Sequence, residues 1–272
     1  MDPVIVTRGW IWDRPGYQWK RQATMISAAP VTGSDSLKTG MQRYFFVAMA
    51  ALILITVLVG FAPSFYLRSA FHPDHELSVL LHVHGLVFSA WIILLLAQTV
   101  LIAKGSRRLH QRLGWFTVGI AAAMLLLVVL ATIEQMRRGI PLEEASGDLA
   151  LNFLGSIMFA VPVAAAVYNR KRPDWHKRLM LCATFGLLGA PILRLILRTT
   201  TLDFDTAANL ALVLTDSFFL PCFAYDLLTR GRIHRAYVYG LALFIVSQTL
   251  LMNVRAWGPW LAFSRSMQHL LG

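Results

Sequence analysis

Seven runs of apolar residues, near 44–66, 79–102, 114–133, 149–168, 179–198, 207–228 and 236–255, alternate along this chain with short polar connections. A helix rises about 1.5 Å per residue and the hydrocarbon core of a bilayer is about 30 Å thick, so roughly 20 apolar residues suffice to cross it. The pattern predicts an all-α, polytopic membrane protein with seven transmembrane helices in a domain covering 41–272. Residues 1–40 carry Pro, Gly, Ser and scattered Trp without a sustained period, and are expected to form a disordered cytoplasmic tail. The tail lacks the continuous apolar core of a signal peptide. Met41, immediately before the first span, is an alternative start.

Charge gives these spans a direction. Most of the 25 basic residues lie before the first span or in the connections after spans two, four and six, such as Lys104 to Arg112, Arg170 to Arg178 and Arg230 to Arg235. The other connections carry Asp74, Glu76, Glu143, Glu144, Asp148, Asp203 and Asp205. The positive-inside rule then puts the N-terminus in the cytoplasm and the C-terminus outside. The net charge of +11 is a topology signal and a match to anionic lipid headgroups rather than a nucleic-acid footprint. Cys182 and Cys222 fall within spans at no spacing that suggests a disulfide or thiolate metal site, and are expected to be reduced packing residues.

Candidate chemistry falls in two layers. His110, His176 and His234 each lie beside a basic residue where a helix leaves the cytoplasmic face. Imidazoles at one level suggest metal ligands, although His and Arg at an interface ordinarily solvate lipid phosphates. In the outer half, Asp216 lies about 15 Å below the surface, Arg194 about 6 Å, and His82 and His84 about 5 and 8 Å. Asn152, Gln248 and Asn253 enter the same half. An outward-opening polar pocket would satisfy them, with Arg194 reaching toward Asp216; a buried ion pair that only fixes helix register is the simpler alternative. His82 and His84 point about 200° apart on one helix, so a single ion does not easily hold both. His82 shares its face with Gly85 and Ser89, and His84 with Trp91 and Gln98. His72 and His75 could approach His82 to make an external zinc or copper cluster.

Four motifs occur in order: Gly60-Phe61-Ala62-Pro63-Ser64-Phe65-Tyr66, then Leu81-His82-Val83-His84-Gly85, then Leu109-His110-Gln111-Arg112-Leu113-Gly114, then Pro173-Asp174-Trp175-His176-Lys177-Arg178-Leu179-Met180. Together they resemble a set of uncharacterised seven-helix bacterial inner-membrane proteins over residues 41 to about 255. A looser likeness, carried by the histidine motifs alone, is to small membrane proteins linked to haem or to cytochrome oxidase assembly. That likeness implies haem b or a transition metal, for which His82, His84, His110 and His176 are the candidate ligands; the residues themselves add Arg194 as a clamp for an anionic group and Asp216 to orient a histidine or accept a proton.

The first expectation is therefore a redox or cofactor-binding membrane protein. The alternatives are a transporter or sensor with a small ligand in the outer pocket, a membrane enzyme acting on lipid or quinone, and a structural partner of another membrane protein. No hydrolase nucleophile motif, nucleotide loop or set of His-x-x-His boxes is present.

Overall fold

The computed structural model describes residues 5–12, 19–26, 33–71, 77–138, 140–254 and 257–271. They belong to two units, Met1–Gln42 and Arg43–Gly272. In the first, β1 (Ile5–Trp12) and β2 (Trp19–Ile26) pair antiparallel, with Ile5 opposite Ile26 and Trp12 opposite Trp19. Helix α1 (Gly33–Phe61) begins before the boundary and supplies the first span.

The second unit continues with a π-helical turn at Ala62–Tyr66, then α2 (Arg68–Phe71), α3 (Val79–Ala103), α4 (Arg107–Met136), α5 (Leu142–Tyr168), α6 (Pro173–Phe185), α7 (Gly189–Thr199), α8 (Phe204–Ser217), α9 (Phe219–Arg230), α10 (Arg235–Val254) and α11 (Gly258–Leu271). Six segments are long and apolar enough to cross a membrane: Gln42–Tyr66, α3, α4, α5, Phe204–Arg230 and α10. Helices α6 and α7, bent by 41° at their junction, supply a seventh when taken as one span. The unit is a polytopic helical membrane protein, with Leu86, Leu126, Val213 and Leu220 among the many large apolar side chains left for lipid.

Hydropathy anticipates the spans but not their breaks. A proline inside a helix removes one hydrogen bond and crowds the carbonyl four residues back. Pro191 is the third residue of α7 and crowds Leu187, inside the α6–α7 junction; Pro221 is the third residue of α9 and crowds Ser217, the last residue of α8. Pro63 likewise opens the π-helical turn that ends the first span. Pro162, buried in α5, leaves its helix continuous.

The bundle core forms around Trp91, which is 1% exposed. Its Nε1 donates to Thr184 Oγ1 at 3.2 Å and its ring meets Phe159 edge-on, tying α3 to α5 and α6. Phe219 meets Phe185 and Phe244 in the same edge-on manner and joins α9 to α6 and α10. Each such pair contributes about 0.5–1.5 kcal/mol beyond its buried area. Helix α11 lies on α5, where Trp260 Nε1 donates to Ser146 O at 3.2 Å and Gln268 Nε2 to Ile140 O at 2.7 Å. Its 14 residues are too few to span.

Candidate functional site

The basic connections come together at one end of the bundle. Arg43 Nε donates to Ala103 O at 2.8 Å, and Lys177 stands 4.5 Å from the centre of the Phe46 ring. Behind them Arg178 and Asp226 form a buried ion pair, with side chains 2% and 0% exposed. Arg178 Nε donates to both carboxylate oxygens at 3.1 Å, Nη2 donates to Oδ1, and Nη1 donates to Asp174 O at 2.8 Å. Asp226 Oδ2 also accepts the His234 backbone N–H at 2.9 Å. Three hydrogen bonds thus fasten α6 to α9, and the bond to His234 N extends the network to the connection between α9 and α10. Sequence reasoning missed the pair, although Asp226 is a carboxylate at the end of the span where basic residues dominate.

His234 closes the network. Its Nδ1 accepts the Ala236 backbone N–H at 3.0 Å, so Nε2 carries the proton and donates to Asp174 Oδ2 at 3.1 Å. Burial holds this imidazole below its ordinary value of 6.5, opposed by Asp174 and reinforced by Arg178 and Arg230. The unfolded chain then begins to bind this proton near 6.5 and the folded chain only at lower pH. Stability from this group is complete above about pH 6.5 and declines as pH falls through the folded value. The unfolding midpoint of the purified protein is expected to drop between pH 7.5 and 5.5, and less so in His234→Gln, which retains a donor for Asp174. Equal slopes in the two proteins would remove His234 from this role.

The expected haem or metal site is not formed. His110 and His176 do come together, with ring centres 6.2 Å apart. But His176 Nδ1 donates to Ala166 O at 2.9 Å, and Gln98, its amide turned to suit its neighbours, sits against His110 Nδ1 and accepts from Gly114 N at 3.0 Å. Among the described residues no group of three or more His, Cys, Asp or Glu side chains could hold a metal ion. Two imidazoles, each with its Nδ1 engaged, fall short of the three or four protein ligands that zinc sites use. The reading of His82, His84, His110 and His176 as ligands of haem b or a transition metal, and of the histidines as a cluster, is corrected accordingly. His72 and His75 lie outside the described residues.

The outer half also differs from expectation. Arg194 and Asp216 form no ion pair: Asp216 Oδ1 accepts from Gln248 Nε2 at 3.0 Å, while Arg194 Nη1 donates to Ala190 O at 3.3 Å. Asn152 donates to Thr132 Oγ1 at 2.9 Å, and Asn253 turns back to Thr249 O at 2.7 Å. The Gln248 and Asn152 amides thus tie neighbouring helices together, and Asn253 stays on its own helix.

What does gather lies around the π-helical turn. Phe65 lies on Gly85, where an added Cβ would stand 2.2 Å from the ring edge, and Tyr66 OH bonds Ser89 Oγ at 2.7 Å. The Gly85 and Ser89 face of α3 thus receives the turn, as the small residues there imply. His82, on the same face, has its ring 6.4 Å from Phe65 and its Nδ1 donating to Ser78 O at 3.2 Å. His84 leaves the other face and stacks on Phe88 with ring centres 4.1 Å apart. Its Nδ1 is buried without a hydrogen-bond partner among the described residues, as is Ser64 Oγ. Arg194 holds its guanidinium 4.7 Å from the centre of the Phe61 ring, at the end of the first span. Among the described residues, two orphaned polar atoms and a guanidinium without a carboxylate thus stand where the first span ends and α7 begins.

No family model, curated protein or solved structure matches this chain, so the resemblance read from its four motifs gives way to a coarser identity: a helical protein with six or seven membrane-spanning segments.

Proposed function

We propose that the protein is a membrane-embedded binding protein for an amphiphilic carboxylate, which it holds between Arg194, His84 and Ser64. One observation carries this reading: among the described residues, the buried His84 Nδ1 and Ser64 Oγ lack partners and the Arg194 guanidinium has no ion pair. A buried polar atom left unpaired costs about 1–3 kcal/mol, and an ionisable side chain within a span is a functional hypothesis by default. A carboxylate offers what all three need. Its two oxygens accept from the guanidinium fork, from the serine hydroxyl and from an Nδ1–H tautomer of His84. Phe61, Phe65 and Phe88 supply apolar walls for the rest of the ligand. Arg194 is exposed on its outer side, which leaves the anion a way in. Breaks in membrane helices are tolerated where they line a binding site, and π-helical turns recur at functional sites.

In this reading the basic end faces the cytoplasm, the N-terminus is inside, and the protein resides in a bacterial inner membrane. Residues 1–40 act as a separate cytoplasmic tail before the transmembrane domain at 41–272.

The test is thermal unfolding of the detergent-purified protein with decanoate, with decanol as its neutral counterpart. Decanoate at a hundred times its dissociation constant should stabilise the folded state by about 2.7 kcal/mol, and decanol should not reproduce the saturable part. Arg194→Gln, which breaks no ion pair among the described residues, is expected to stay folded and lose the response. An unresponsive wild type, or an Arg194→Gln variant that responds in full, would overturn the proposal.

A further inference from the structure

The basic end carries a second concave site that the carboxylate reading does not use. Arg108, Gln111, Arg112 and Trp115 line a groove of ≈ 250 Å³ on the first turns of α4. Arg108 and Arg112 are four residues apart and share a face, so their guanidinia flank one opening. From the end of α5, Arg170 reaches over the Trp115 ring, 5.9 Å from its centre. Trp115 itself is 65% exposed, at the depth where amphipathic rings anchor helices to the headgroup layer. No described carboxylate pairs with Arg108, Arg112 or Arg170, and the Ser106 side chain does not cap α4. The N–H groups of the first turn therefore point toward the same anion-attracting end.

We infer that this groove is a binding site for the phosphodiester headgroup of an anionic phospholipid in the leaflet at the basic end. Arg108 and Arg112 take the phosphate oxygens as charge-assisted donors, Gln111 bonds the polar headgroup, and Trp115 holds the glycerol region against its ring. A free phosphate would satisfy the arginines, but it would leave the exposed indole and the neighbouring apolar surface of Phe116 without a role. A lipid uses both. The chemistry requires an anion, so a zwitterionic headgroup of similar size is a poor ligand.

Native mass spectrometry of the full chain, released from detergent with equal phosphatidylglycerol and phosphatidylcholine, reads the preference directly. The wild type should retain one phosphatidylglycerol in preference to phosphatidylcholine. The double variant Arg108→Gln with Arg112→Gln should weaken that retention roughly thirtyfold, each arginine near an anionic surface contributing roughly fivefold. Arg137→Gln with Arg138→Gln, which removes the same charge at the opposite end of α4, should leave it intact. Arg108→Lys with Arg112→Lys keeps the charge and guards against a folding defect, and should retain the preference in part. Equal losses from both Gln pairs would show a general charge effect and overturn the site. Displacement of the lipid by millimolar inorganic phosphate would overturn the lipid as its occupant.

Discussion

Removing either partner of the Arg178–Asp226 pair is expected to destabilise the protein by about 3–5 kcal/mol, the largest effect of any single charge neutralisation in the chain. The pair is buried, and in Asp226→Asn the guanidinium keeps its charge while the carboxylate that compensates it is gone. The same change weakens the acceptor of the His234 backbone N–H, so the connection between α9 and α10 loosens as well. Arg178→Lys is expected to be little better, because an ammonium group cannot donate from two sides of a planar fork. Arg178→Met combined with Asp226→Leu should recover much of the loss, since no buried charge is then left alone. Thermal unfolding in detergent orders these variants, and a double variant as unstable as Asp226→Asn would mean that the hydrogen bonds to Asp174 and His234, not the charges, carry the effect.

The contrast between this pair and Arg194 shows how far sequence reading reaches. Arg194 lies inside the fifth apolar run, where hydropathy marks it as costly, whereas Arg178 reads as one of the basic residues of the connection just before that run. Only the three-dimensional packing decides that Arg178 is neutralised by a residue 48 positions away, while Arg194 is left with a carbonyl and a phenyl ring. Span positions are legible because they depend on length and composition alone, and the expected start of the second span at 79 is where α3 begins. The breaks at Pro191 and Pro221 are legible only in part, because Pro162 shows the same residue without a break. The histidine layers misled for a related reason. Their depth can be read from the helix rise, but the groups that engage the His176 and His110 Nδ1 atoms, Ala166 O and the Gln98 amide, come from other helices. Helix α11 escaped the span count because it is too short.

Gly60→Ala is expected to cost about 1–3 kcal/mol, as overpacking does elsewhere, and also to weaken carboxylate binding. An added Cβ would stand 2.4 Å from Pro191 O, 2.5 Å from its Cβ and 2.6 Å from its Cα. Two of those atoms are backbone, so the clash is relieved only when α1 moves off α7. Gly85→Ala meets only ring atoms of Phe65, and a side chain can turn where a helix must shift; its cost should be smaller. The position matters because Gly60 precedes Phe61, the residue that carries Arg194 on its ring, and Pro191 is the proline that breaks the fifth span. The two irregular elements of the outer half are thus pressed together at one glycine. Parting them leaves both helices intact but withdraws the Phe61 wall and frees the Arg194 guanidinium. Thermal unfolding and decanoate titration of the two glycine variants separate these effects. A Gly60→Ala protein that binds decanoate as the wild type does would place the ligand away from this contact, whereas loss of binding with only a modest fall in stability would tie the site to it.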